Sequence, residues 1–566
     1  MRLRVRPLGD AYVGPSENSE QVDYASQFVV DRRKSLGWIS VLPDELILAI
    51  INQLPVADLA RLSGASLAAH AFANSGNGWK EAVLDAYEKE VGENADSSFP
   101  LGDTWRARFQ AHVASDGSRH PRKRPRLASR QVVLYSDVLA HLERCARGGV
   151  PEEWLSYSNI PRCHGLTAAE FQRRYESSNV PVVITDAARQ WPSLEWLHEQ
   201  CGETRFRLGH REWPLPAYLR YARAMTDCYT DDALLYLFDC RFGEKVPELA
   251  QAYTPPRCLD TPDLFALLGE QHRPDYRWLI VGPPRSGSTF HQDPNGTSAW
   301  NAVICGRKKW VLLPPGELAP PGVRVMVDAD GSRHVLGPAT VYEWFVNHYD
   351  EMCERRQALR AIETVVNAGE VLFVPRGWWH CAMNLEPVGE WDDGVGVALT
   401  QNFCNAVNLP HVLQFLRHSP ANVSGVPLAR RATLYSEFVQ VLQRDCPEML
   451  ADAQRRLAAL DVRRARSKPS SPFRFGFAAP ATSSPPLARE THPDRHLLQA
   501  ESGLAVVDEL TLVAGGQRRS RDAVNGEHRR PRGALLAESK RAPRRRRVAR
   551  GEFAQPVRKG GSGHAR

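Results

Sequence analysis

Between Gly165 and Asn405 the chain runs through short apolar segments: PVVIT, LLYLF, YRWLIVG, WNAVI, KKWVLL, EVLFV and VGVALT. Turns rich in Pro and Gly separate them. Segments of roughly four to eight residues, heavy in β-branched and aromatic side chains, are too short for core helices and predict strands. Many short strands with such turns predict a barrel or a sandwich. Helical patches accompany them, at Ala168–Arg174 and Ala217–Met225, and His411–Leu460 predicts helices packed after the strands.

The flanks differ from this middle. Residues 1–35 have no clear periodicity and are expected to be disordered. Residues 38–110 predict a small helical domain: Leu42, Leu46, Ile50 and Leu54 recur at helical spacing with Ile47 and Ile51 beside them. Pro43, Asp44 and Glu45 suit a first turn, because proline fits there and acids face the positive dipole end. Pro55 stops that helix, and Asp58 lies near the start of a second. Residues 111–131 contain the basic run PRKRPRL and predict a linker, followed by a catalytic domain over 132–410 and C-terminal helices over 411–462. Residues 463–566 turn to Ser, Pro, Arg and Gly and predict a disordered basic tail. From Asp461 onward there are 23 Lys and Arg against 10 Asp and Glu, a balance of +13; the net charge is +7, so the rest carries −6. The basic character thus belongs to the tail, and the whole-chain charge is a poor guide to nucleic-acid binding.

No apolar run approaches the roughly 18 residues that span a bilayer, so no membrane association is expected. The first residues lack the apolar core of a secretory signal. The 11 cysteines are scattered without a CxxC pair, which fits reduced thiols in cytosol or nucleus. No period of 20–50 residues marks a repeat array.

Chemistry concentrates in two segments, RWLIVGPPRSGSTFHQDPNGTSAWNAVICGRKKWVLLPP and NAGEVLFVPRGWWHCAMNL. His291 and Asp293 are two apart, so on extended backbone they point to one face. His380 follows a strand and a turn, and a barrel can make the two segments neighbours. Two imidazoles and one carboxylate form the facial triad of non-haem iron(II) oxygenases, which leaves positions open for a 2-oxoacid and dioxygen. An HxD pair alone is weak. A 2-oxoglutarate held in a barrel also needs a fixed cation for its remote carboxylate. Lys308 suits that, with Arg307 and Lys309 read as solvated neighbours at the strand end. Asn301 and Thr400 offer hydrogen bonds; as ordinary buried polar groups they would need no ligand. Trp378 and Trp379 either wall the site or pack in the core, and Gly377 suits a tight turn before His380.

These segments resemble the jumonji-C family, in particular its lysyl-hydroxylase branch once called phosphatidylserine receptor. The resemblance rests on NVPVVI, LYLFD, GPPRSGS, HQDPNGTSAWNA, GRKKW, GEVLFVPRGWWH and LTQNF. It implies an α+β multidomain chain built on a double-stranded β-helix, a cupin-like jelly-roll barrel with flanking helices. It also implies iron(II) on His291, Asp293 and His380, and 2-oxoglutarate against Lys308, with Asn301, Thr400 and Tyr236 as further contacts. Ser288 stands where the branch has threonine and keeps the hydroxyl. Dioxygen is the co-substrate, and the implied activity is hydroxylation of protein side chains, lysine first, with methyl-lysine or methyl-arginine demethylation as the alternative. Two departures, near Asp328–Arg333 and in EPVGEWDDG after Asn384, fall near the expected barrel mouth, where substrate choice is made.

LPDELILAIINQLPVADLARLSGAS resembles an F-box, with Trp79 as its trailing aromatic. That implies docking to a cullin-ligase adaptor through an apolar helix face, and a third reading in which the barrel only binds targets for a ligase. A helical hairpin packed on the barrel fits the same pattern. PRKRPRL and PRRRRVAR are of the nuclear-import kind and are able to touch nucleic-acid phosphates weakly and without sequence preference. Expected partners are therefore a protein or peptide substrate and the adaptor, and the expected location is the nucleus, with cytoplasm as the second place.

Overall fold

The computed structural model describes residues 3–6, 28–115, 132–188, 191, 193–226, 233–316, 318–387 and 394–467. Strands β1 (Leu3–Arg6), β2 (Phe28–Val29) and β3 (Val132–Tyr135) form a small parallel sheet with β3 in the middle. Of the residues 1–35 expected to be disordered, the described ones depart from that expectation: Leu3 to Arg6 pair one by one with Val132 to Tyr135, and Arg32–Leu36 is helical, while 7–27 lie outside the described residues. The partner strand lies about 130 residues away in sequence, so local periodicity carried no trace of it.

After a short helix at Arg32–Leu36, five more helices follow β2: α1 (Asp44–Ile51), α2 (Val56–Ser63), α3 (Leu67–Ser75), α4 (Gly78–Glu93) and α5 (Trp105–Ser115). Helix α1 opens after Pro43 with Asp44 and Glu45 in its first turn, as predicted. Ile47, Leu48 and Ile51 face inward. Helix α5 runs to Ser115, into the linker expected from residue 111; residues 116–131, with PRKRPRL, lie outside the described residues. The helices are not a detached module. Tyr87 of α4 meets Trp213 edge-on, with ring centroids 5.2 Å apart, and its hydroxyl donates to the Ala217 carbonyl at 3.1 Å. One continuous apolar core joins Phe72, Trp79 and Tyr87 to Trp213, Tyr221 and Trp300.

The middle of the chain supplies β4 (Arg162–Cys163), β5 (Val182–Ile184), β6 (Arg205–Leu208), β7 (Arg211–Pro214), β8 (Leu237–Asp239), β9 (Arg277–Gly282), β10 (Gly287–His291), β11 (Ser298–Cys305), β12 (Arg307–Leu313), β13 (Arg324–Val327), β14 (Arg333–Leu336), β15 (Ile362–Asn367), β16 (Val371–Val374), β17 (Trp379–Asn384) and β18 (Gly396–Phe403). Seven form one sheet in the order β4-β5-β16-β11-β18-β9-β8, and four form another in the order β10-β17-β12-β15. Among the described residues hydrogen bonding does not continue between the two sheets, so the jelly roll is a sandwich rather than a closed barrel. Strands here read as nearly unbroken apolar runs because both faces are covered. The larger sheet turns Trp300, Phe373 and Leu399 out towards the N-terminal helices, and the smaller turns Val311, Trp379 and Cys381 out towards helix α6 (Val341–Glu354). Between the sheets lie Ala299, Val303, Trp310, Leu372 and Ala382.

Helices α7 (Leu409–His418), α8 (Leu434–Asp445) and α9 (Pro447–Ser467) close the described chain around Leu413, Phe438 and Leu450. The boundary expected at 462 is passed by α9, and PRRRRVAR lies outside the described residues. Among the described residues no helix is long and apolar enough to cross a membrane.

Candidate metal centre

Strand pairing assembles the site. Antiparallel β10 and β17 place His291 directly opposite His380, after a register shift between Ser288 and His291. Gly287 makes the start of this pairing feasible, because a Cβ there would lie 1.9 Å from the Ala382 carbonyl oxygen. Gly377, at φ 73°, turns the chain into β17 in the left-handed region where glycine is strain-free. Asp293 follows two residues after His291 on extended backbone, φ −58° and ψ 144°, so it shares that residue's face. The ligand atoms of His291, Asp293 and His380 all lie within 4.8 Å of one another.

Protonation favours metal binding. The Nδ1 of His291 lies 2.8 Å from the Thr289 carbonyl and that of His380 lies 3.1 Å from the Trp378 carbonyl. A carbonyl only accepts, so each Nδ1 carries the proton and each Nε2 keeps its lone pair, the usual arrangement behind a metal-ligating histidine. Burial pushes His380 down to about 4, and burial together with the charge of His380 pushes His291 down to about 4, so both rings are neutral near pH 7. Burial raises Asp293 to about 6, against the pull of His291 and a hydrogen bond from Asn402. Its Oδ2 has no hydrogen-bond partner among the described residues. A buried carboxylate oxygen without a donor costs free energy unless a cation meets it, and the donor set fits iron(II).

The predicted co-substrate residues face the same cavity. Tyr236, Ser288, Asn301, Lys308 and Thr400 line it together with the three metal-donor residues. Alternation explains the gathering: Asn301 and Thr400 are cross-strand partners on β11 and β18 with inward side chains, and Lys308 and Trp310 point in from β12. Lys308 is 1% exposed. Its Nζ reaches the Tyr236 hydroxyl at 3.3 Å, and among the described residues it meets no carboxylate. Burial pulls its ammonium down to about 7. The Asn301 Oδ1 is likewise buried without a partner among the described residues.

One expectation needs correction. Lys309 is not a solvated strand-end lysine: it is 0% exposed and pairs with Glu363 at 2.8 Å. Tyr349 and Arg356 complete that group, each 2.7 Å from a Glu363 oxygen. Alternation sends Lys309 to the outer face of β12, beneath α6. Of the two readings for Trp378 and Trp379, core packing is the one found, and neither lines the metal cavity. Trp378 packs between the sheets, and its indole donates to the Asn179 carbonyl at 2.9 Å. The tryptophans that line the cavity are Trp278 and Trp310, beside Tyr236 and Phe238, and Trp310 is stacked on His380 with ring centroids 5.9 Å apart. Sequence reading missed these two tryptophans and Asn402. Their signal was present in strand parity, since Asn402 is two residues after Thr400.

Comparison with known proteins identifies the family. Residues 198–408 match the family model described as a cupin-like domain. The chain is 34% identical to the arginine-specific demethylase JMJ22 of Arabidopsis thaliana, over 84% of this chain and 88% of that protein. The chain belongs to the cupin-like jumonji-C family. It is 32% identical to the bifunctional arginine demethylase and lysyl-hydroxylase psr-1 of Caenorhabditis elegans, over 52% of this chain and 70% of the relative. It is 29% identical to the 2-oxoglutarate and iron-dependent oxygenase JMJD4 of Danio rerio, over 38% of this chain and 46% of the relative. This jumonji-C protein is thus an enzyme, a dioxygenase dependent on iron(II) and 2-oxoglutarate. The family model does not reach the N-terminal helices.

Proposed function

We propose that this jumonji-C oxygenase hydroxylates side chains of proteins, at lysine. One observation carries the chemistry: two neutral imidazoles, a carboxylate and an unmatched cation converge in one buried cavity. His291, Asp293 and His380 would hold iron(II), and Lys308 the remote carboxylate of 2-oxoglutarate, with Tyr236, Ser288, Asn301 and Thr400 around it. When bound, the metal couples oxidative decarboxylation of 2-oxoglutarate by dioxygen to hydroxylation of a C–H bond. The protein contributes position and dryness. The carbonyls of Thr289 and Trp378 aim both Nε2 atoms inward. Trp278, Ile280 and Trp310 keep water from the reacting atoms. Lys308 fixes one end of the co-substrate, which sets the face turned to the target.

Demethylation of methyl-arginine is the second reading, and the 34% identity to a protein named an arginine-specific demethylase, across 84% of this chain, supports it. Hydroxylating an N-methyl carbon yields a hemiaminal that releases formaldehyde, so the same site serves either outcome. Anaerobic titration with iron(II) and 2-oxoglutarate, followed by oxygen and mass spectrometry of peptide products, separates them. A gain of one oxygen on lysine supports hydroxylation; loss of methyl with formaldehyde supports demethylation. No 2-oxoglutarate consumption by the wild type, unchanged in His291→Ala, rejects both.

The N-terminal helices carry a further part of the proposal, a docking face for a cullin-ligase adaptor. Leu46 and Ile50 of α1 are 39% and 54% exposed, and Trp38 and Val41 just before it 83% and 82%. Capture of the adaptor that disappears in a Leu46→Asp, Ile50→Asp double variant supports docking; equal capture by both proteins rejects it. The basic runs at 121–127 and 543–550 support nuclear residence and weak phosphate contact, and deleting both should move a fluorescent fusion to the cytoplasm.

A further inference from the structure

Next to the metal centre lies a second cavity, a groove of about 550 Å³. It is lined by Gln292, Gly377 and Trp379 beside the metal-donor residues, by Pro315 after β12, and by Val325 and Arg333 of the β13–β14 hairpin. Gln292 sits between His291 and Asp293 and its amide donates to the Gly377 carbonyl at 2.7 Å. The groove therefore borders the same two strand ends that carry the three metal-donor residues. Trp379 alternates with His380, so the groove takes the outer side of those ends and the metal cavity the inner side.

The outer wall is the hairpin β13–β14, which contains the Asp328–Arg333 departure noted in the sequence. Its strands pair only with each other among the described residues, so β13 keeps an open edge of backbone donors and acceptors, while on β14 a side chain takes the N–H of Arg333. Met326, Val327 and Val335 are 53%, 63% and 45% exposed, and nearby Leu318 is 56% exposed. Open strand edges with exposed apolar side chains are the surface onto which an extended peptide adds as a further strand. The hairpin is fastened to the metal-bearing turn by one loop. Asn422 accepts from the Arg333 backbone N–H at 2.7 Å and donates to the Gly331 carbonyl at 2.9 Å. Two residues on, Ser424 exchanges both backbone groups with the Asn295 side chain, at 3.0 and 3.1 Å. Asn295 is two residues after Asp293. The wall is thereby set at a defined place relative to the metal donors. Among the described residues Arg333 is the one charged side chain that lines the groove, and it meets no carboxylate among them. Nearby Asp328 is taken by His334 at 2.9 Å.

From this arrangement we infer that the groove takes an extended segment of the protein substrate flanking the reacting residue, with an apolar side chain on Trp379 and Pro315 and an acidic one against Arg333. The inference rests on the protein-oxygenase reading above and adds the class of sequence that reading leaves open. Docking here fixes the segment while the target side chain crosses the rim to the metal cavity.

The test is retention of peptides on manganese(II)-loaded full-length protein, in which no turnover occurs. The probes are 13-residue pools randomised around a central lysine or a central methyl-arginine. The wild type should enrich Asp or Glu at one flanking position by roughly fivefold, the scale of a partly screened ion pair. Arg333→Glu should invert that preference to Lys or Arg. Asn422→Ala, which frees the hairpin, should weaken retention several-fold while 2-oxoglutarate affinity stays as in the wild type. No retention, or an acidic preference that survives Arg333→Glu, overturns the proposal. Consumption of 2-oxoglutarate by the iron(II) form is measured separately. Its absence would count against the oxygenase reading, whereas the groove stands or falls on retention alone.

Discussion

Replacing Lys308 by methionine should make the ligand-free protein more stable and the enzyme nearly blind to 2-oxoglutarate. Burial moves Lys308 from its ordinary 10.5 down to about 7. At about 1.4 kcal/mol per pH unit, that difference of about 3.5 corresponds to about 5 kcal/mol of lost stability. The sign follows from proton counting. Between about 7 and 10.5 the unfolded chain binds the proton and the folded chain does not, so stability rises with pH across that window. The cost is complete below about pH 7 and gone above about 10.5. Methionine has similar length and no charge to desolvate, so at pH 8 the variant should gain roughly 3 kcal/mol. The gain should shrink steadily towards pH 10. In the complex the effect reverses. The remote carboxylate of 2-oxoglutarate would be left buried without its cation, a loss of about 3–5 kcal/mol or roughly 10²- to 10⁴-fold in Kd. Urea unfolding of the metal-free protein, followed by tryptophan fluorescence, reads the first effect. Calorimetric titration of 2-oxoglutarate into manganese(II)-loaded protein reads the second. A variant that is less stable at pH 8, a gain that does not vary with pH, or a Kd within about threefold of wild type would refute the assignment of Lys308.

Three further outcomes are expected. The complex keeps Lys308 charged while the free protein sheds its proton above about 7, so binding takes up a proton and the Kd for 2-oxoglutarate should rise about tenfold per pH unit above that point; a flat profile from pH 7 to 9 contradicts this. His291→Ala should leave the fold intact but retain less than stoichiometric iron after dialysis, read by atomic absorption, with no oxygen-dependent consumption of 2-oxoglutarate. Lys309→Met should behave opposite to its neighbour: it strips a cation from the buried Glu363 group, so stability should fall by roughly 3–5 kcal/mol while 2-oxoglutarate affinity moves less than about twofold, both readable in the same unfolding and titration assays.

The contrast between Lys308 and Lys309 marks how far the sequence could be read. GRKKW announced a strand with cations at its start, and the family motif pointed to Lys308. That Lys309 is just as deeply buried depends on α6 covering the outer face of β12 and on Glu363 arriving from β15, an element more than 50 residues on. Likewise LRVR at the N-terminus looked structureless because its partner strand is β3. The tryptophan doublet near His380 invited a role at the site, yet alternation turned Trp379 into the outer groove and left Trp278 and Trp310, from other strands, to wall the cavity.

By itself the sequence determined the local periods. Two-residue alternation, Pro and Gly turns, the HxD spacing and the opening of α1 are set by backbone sterics and nearest neighbours, and they specified a strand-rich cupin-like domain with a metal-donor set. Only the tertiary structure decided which faces meet. It placed His291 opposite His380 and left Lys308 without a counter-charge. It also tied the β13–β14 hairpin to the metal-bearing turn through Asn422 and Ser424. These are relations between residues tens to more than a hundred positions apart, fixed by sheet register and helix cover, and no local spacing encodes them.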